Sequence, residues 1–236
     1  MTLSFENPRA VVWNKSVDEL FSEIEKHITL LPYIGIVLAT HSKNESGYLT
    51  EIDKKIDAYF SLGRLRDFSI TTCKLMKSIY RDPNFGKIRS EILERVVYEY
   101  GPFSEKINRK STYIEPTLKD ERGIIGISNH KCDVVFHETD LTPMELIECR
   151  SNISNTIPSD RPFSEAYERN KKKVLYLYEV HDHLSVHYIQ PEMYFGTYSL
   201  NYTMCLQRIM DYGYNCFKMI NLQDITTSVQ QRQQAV

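Results

Sequence analysis

Cys132-Asp133-Val134-Val135-Phe136 and, after a turn-rich stretch, Met144-Glu145-Leu146-Ile147-Glu148-Cys149-Arg150 are the two runs whose reading decides the fold. Each is a short apolar segment rich in β-branched residues and bounded by turn formers, the pattern of a buried strand. Each also carries an acid, Asp133 at the start of one run and Glu148 near the end of the other. Two neighbouring strands could bring both carboxylates to one divalent cation. Glu148 has strand neighbours that are apolar, and a carboxylate in such company is costly unless it is paired or bound to a cation. Arg150 lies two residues further on, on the same face of a strand.

Outward from these runs, the segments alternate. Upstream, Ile88, Ile92, Leu93, Val96, Val97 and Tyr100 have helical spacing, and Gly101-Pro102 ends it. Three short runs, Gly123 to Ile127, Cys132 to Phe136 and Met144 to Cys149, read as a meander. A long helix is expected from Ser164, carrying Tyr167, Val174, Leu177, Tyr178 and Leu184. A strand at Met193–Tyr198, a helix at Leu200–Tyr212 and a strand at Cys216–Ile220 follow. The expected class is α/β, a central mixed β-sheet flanked by helices. Residues 1–86 read as a mostly helical region, with Ser16 as a cap for a helix reaching His27. The apolar run Tyr33–Ala39 fits a helix or a strand equally. Asp82-Pro83-Asn84-Phe85-Gly86 sets a boundary between this region and a core of residues 87–225. The glutamine-rich tail 226–236 reads as disordered.

Composition limits the chemistry. The chain has 236 residues, 42% of them hydrophobic, enough to bury a core. Its 29 basic and 31 acidic residues balance to a net charge of -2, which argues against a protein that coats nucleic acid over its whole surface and leaves room for a local basic face. Five widely spaced cysteines read as reduced thiols, and no signal-peptide pattern or long apolar run is present, so the expected location is cytoplasmic with no membrane partner. There is no glycine-rich phosphate loop, CxxC pair or HExxH motif.

The Asp133 strand, the Glu148-Cys149-Arg150 strand, the preceding glutamate-bearing helix and the helix that follows together resemble the PD-(D/E)XK nuclease superfamily, over roughly residues 87–222. The resemblance implies a restriction endonuclease-like core and a magnesium- or manganese-dependent phosphodiester hydrolase acting on nucleic acid, DNA in preference to RNA, in defence or DNA processing. It implies Asp133 and Glu148 as metal ligands, with a glutamate of the preceding helix completing the site, Glu91 by its distance to Gly101, although helical geometry does not decide between it and Glu94. Position 150, where the family has lysine, is arginine here, so the same fold in a catalytically silent form that binds nucleic acid or a protein is the alternative. Arg169, Lys171, Lys172 and Lys173 at the head of the next helix, with Asn152 after the strand, are candidate contacts to substrate phosphates. A homodimer is compatible with this reading. His183 and His187, four apart, raise a zinc site against surface histidines, and His130 is a candidate to assist a water.

Overall fold

The computed structural model describes residues 2–41, 43–44, 46–61, 69–126 and 130–234. A short strand β1 (Ser4–Glu6) precedes five helices, α1 (Lys15–Lys26), α2 (Leu31–Thr40), α3 (Leu49–Phe60), α4 (Ile70–Arg81) and α5 (Phe85–Tyr100). Next come strands β2 (Ser111–Ile114), β3 (Thr117–Asp120), β4 (Gly123–Ile124), β5 (Val134–His137) and β6 (Glu145–Arg150). The chain ends with α6 (Glu168–His187), β7 (Glu192–Thr197), α7 (Thr203–Asp211), β8 (Phe217–Asn221) and α8 (Leu222–Gln234).

The main sheet has the order β2-β5-β6-β7-β8. Its first two pairings are antiparallel and its last two parallel, so the sheet is mixed. The parallel pairs need crossovers, which α6 and α7 supply. Strand alternation then sorts the core into two layers. Val134, Phe136, Ile147 and Ile220 pack with α1–α5 and α8, whereas Val135, Leu146, Phe195 and Phe217 pack with α6 and α7. A second, antiparallel sheet, β1-β3-β4, lies beside the α6 layer through Leu3, Leu118 and Ile125.

Several local features differ from the sequence expectation. Asn14, not Ser16, caps α1, its Oδ1 accepting the Ser16 N–H at 2.9 Å. The ambiguous run Tyr33–Ala39 is helix α2, with Ile34, Val37 and Leu38 fully buried, as an apolar helix in a protein interior must be. The first strand of the meander is β2, whose sequence Ser-Thr-Tyr-Ile gave little apolar signal. Gly123–Ile124 belongs to the smaller sheet instead, and Ile127 lies outside the described residues. The Ser164 region forms a single 3-10 turn, Phe163–Glu165, and α6 starts at Glu168 and continues through His187.

The tail corrects the expectation of disorder from residue 226. It is helix α8 to Gln234 because its apolar residues, Leu222, Ile225 and Val229, repeat on one face and are buried against the helical layer. The Asn221 Oδ1 accepts the N–H groups of Gln223 and Asp224, capping it, and Arg232 donates to the carbonyls of Tyr100 and Pro102. The glutamines lower the hydropathy of the segment without interrupting that buried stripe.

Among the described residues no helix is long and apolar enough to cross a membrane.

Candidate functional site

Strands β5 and β6 place the two acids. Val134 faces Ile147 in their antiparallel register; Glu148 is the next residue of β6, on the α6 face with Leu146, and Asp133 lies in the bend that leads into β5. The Asp133 Oδ2 accepts the Cys149 N–H at 2.7 Å, which fixes the carboxylate against β6. Glu148 is 1% exposed. Burial, with the Glu148 charge next in importance, pushes the Asp133 carboxyl well above the usual carboxylate range.

Two cations converge on Glu148. Arg150, on the same strand face, meets Oε1, and the Lys173 ammonium from α6 lies 2.9 Å from Oε2. Each of the two buried oxygens thus has a cation of the protein against it. Lys173 also donates to the Lys131 carbonyl. It is itself buried, because its position continues the apolar stripe of Leu177, Val180 and Leu184 on α6.

Helix α5 brings its two glutamates to the same end of the sheet in different roles. Glu91 accepts the Asn14 N–H at 3.0 Å and lies 3.6 Å from the Lys87 ammonium. Glu94 senses the Glu148 charge and is sensed by Asp133, which makes it the helix acid electrostatically coupled to the strand pair. Burial pushes its carboxyl up to about 7, against the lowering by Arg9. Arg9 donates to Glu94 Oε2 at 2.5 Å, and its Nε lies 3.0 Å from Glu115 Oε1. Glu115 is the residue whose N–H donates to the Asp133 carbonyl.

The remaining basic residues on α6 are spread out. Lys171 pairs with Glu168 at 3.0 Å and donates to the Ser164 carbonyl, while Arg169 and Lys172 are exposed on the first turn and a half of the helix. Asn152 caps the turn after β6, accepting the Ser154 N–H at 3.1 Å. His183 and His187 share a helix face with rings 4.7 Å apart, but His183 contacts Asp120 at 2.7 Å and His187 contacts Arg122. His130 borders the site, its imidazole lowered by burial and by Lys173.

Sequence reasoning placed Lys173 among surface phosphate contacts and did not single out Arg9 or Glu115. The signal for Lys173 was present, a lysine in register with a buried helix stripe. No local signal marks Arg9, which reaches the site only because β1 pairs with β3 and carries the N-terminal segment across it.

Carboxylate oxygens are the ligand type a hard divalent cation takes, and Asp133, Glu148 and Glu94 carry them. In the arrangement described, cations of the protein hold Glu148 and Glu94, and among the described residues no three Asp, Glu, His or Cys side chains are gathered closely enough to ligate a metal. No protein-family model matches the chain, and no curated protein is significantly similar to it.

Proposed function

We propose that the protein is a metal-dependent nuclease of the PD-(D/E)XK type, cleaving phosphodiester bonds in DNA at the end of the main sheet that carries Asp133 and Glu148. The observation that supports this reading most is that Asp133, held against β6 by the Cys149 N–H, feels the charge of Glu148, with Glu94 within electrostatic reach and Lys173 on Glu148. Magnesium or manganese, when bound, supplies the charge compensation that a phosphodiester and its attacking water lack. Asp133 and Glu148 would hold it, and Glu94 is the better placed of the two helix glutamates to join them.

The other residues act on charge and orientation. Lys173 supplies the compact ammonium that position 150 does not, and Arg150 adds a planar, permanently charged fork beside it. Together they can neutralise the scissile phosphate, while Arg169 and Lys172 at the exposed head of α6 give a backbone contact further along the strand. The Cys149 N–H keeps Asp133 turned toward β6.

The test is incubation of plasmid and single-stranded DNA with the protein in magnesium or manganese. Cleavage should fall roughly a hundredfold or more in Asp133→Ala. Cleavage unchanged by that substitution would reject the site.

The double occupation of Glu148 by Arg150 and Lys173 favours one second reading, a silent form of the same site that binds nucleic acid through these cations without cutting it. That reading predicts DNA binding that is indifferent to manganese, together with intact DNA in every assay.

A further inference from the structure

A cavity of about 1080 Å³ opens between the end of α5, the loop that follows it and α8. Its walls follow from the sequence. Gly101-Pro102 stops α5, so the last carbonyls of that helix have no helical donor, and the chain turns away through Phe103 toward Arg109. Two arginines from distant parts of the chain supply donors to neighbouring carbonyls: Arg109 donates to that of Glu99 at 2.6 Å and Arg232 to that of Tyr100 at 3.2 Å. Both guanidinium groups therefore stand at one helix end, and both line the cavity. Arg109 gives one N–H to its carbonyl and lies over the Tyr98 and Phe136 rings, 5.2 and 5.9 Å from their centroids.

Among the described residues neither guanidinium has a carboxylate in ion-pair contact. Glu99, which also lines the cavity, pairs with Arg95 at 3.0 Å. Glu145, the buried acid that feels the Arg232 charge, turns its oxygens to the Phe103 and Ser104 N–H groups. The other acid of the lining, Glu105, is exposed. Much of the remaining lining is apolar, with Tyr100, Phe103, Ile107 and Val229. A guanidinium fork matches the oxygens of phosphate and carboxylate groups, and an apolar lining with a few convergent polar groups is how small-molecule sites are built. We propose that this cavity binds a small organic anion: Arg109 and Arg232 hold its phosphate or carboxylate group, and the apolar lining holds its body. The site does not depend on a metal at Asp133 and Glu148. Glu145, which anchors the cavity loop, begins β6, whereas Arg150 ends it.

Titration of the full-length protein with anilinonaphthalene sulfonate, an aromatic body with a fixed negative charge whose emission rises in apolar surroundings, tests the site. Binding should be saturable. Arg109→Met, which keeps a stem over Tyr98 and removes the charge, should weaken it roughly tenfold, the scale of one charged hydrogen bond. Arg81→Met, which removes a charge paired with Asp53 outside the cavity, should leave it unchanged. Displacement of the probe by adenosine monophosphate assigns a phosphate group to the occupant, and displacement by decanoate assigns a carboxylate. The proposal is overturned by the absence of saturable binding, by equal affinity in wild type and Arg109→Met, by an equal loss in Arg81→Met, or by a probe that neither anion displaces. If Arg109→Met loses the native near-ultraviolet circular dichroism, Gln231→Arg on the exposed lining takes its place. The added cation should tighten binding severalfold, and an unchanged affinity overturns the proposal equally.

Discussion

Lys173 and Lys171 are two residues apart on α6 and have opposite fates. Lys173 is buried with its ammonium on Glu148, whereas Lys171 pairs at the surface with Glu168, itself well exposed. Removing one partner of a buried ion pair leaves the other charge uncompensated, which costs about 3–5 kcal/mol, while a surface pair contributes about 1 kcal/mol at most. Urea unfolding of Lys173→Met should therefore show a loss of several kcal/mol, and Lys171→Ala a change of about half a kcal/mol or less. Equal effects of the two substitutions would show that Lys173 is not buried on Glu148. At this scale the sequence carried Asp133, Glu148 and the shared face of Glu148 and Arg150, because strand period 2 fixes which side chains lie together. It did not distinguish Glu91 from Glu94. Both sit on α5 at the same end of the sheet, and what separates them is the partner each meets, the backbone of Asn14 for one and Arg9 for the other.

Elements with strong periodicity were legible and those with polar or short sequences were not. Helices α1 and α5 and strands β5 to β8 follow from spacing alone, since each has a continuous buried stripe or run. Strand β2 could not be read that way: Ser111, Thr112 and Tyr113 are only half-buried, and its pairing with β5 rather than its composition makes it a strand. Helix α8 is the opposite case, where glutamine content masked a buried face. Its stability should depend on that face and on its cap. Ile225→Ala should cost about 2–5 kcal/mol and Asn221→Ala about 1 kcal/mol, whereas Gln230→Ala on the same helix should be close to neutral, all read by chemical denaturation. A helix that frays independently of the core would show no effect of any of the three.

The whole molecule is held by cores on both faces of one sheet, and the larger of them joins Val17, Phe21 and Ile56 from the N-terminal helices with Val134, Phe136, Ile147 and Ile225. Helices α1–α4 thus pack over the sheet rather than forming a unit with a core confined to themselves. Gly101 shows how close the layers come, since a Cβ there would run into the Phe136 ring. This layering is what brings α5 to β5 and β6 from one side and α6 from the other, so that Lys173 meets Glu148 and Glu94 is within its electrostatic reach. Such convergence comes from the three-dimensional packing of distant segments, which is why Arg9 and Glu115 carry no local signal in the sequence, whereas the burial of Lys173 does, in its register with the apolar stripe of α6. The most direct measurement is a crystal of the full-length protein soaked in manganese, with anomalous scattering used to place the ion. A peak about 2.1 Å from carboxylate oxygens of both Asp133 and Glu148 is the predicted result. An ion bound elsewhere, with these two acids still held only by Cys149, Arg150 and Lys173, would contradict the account.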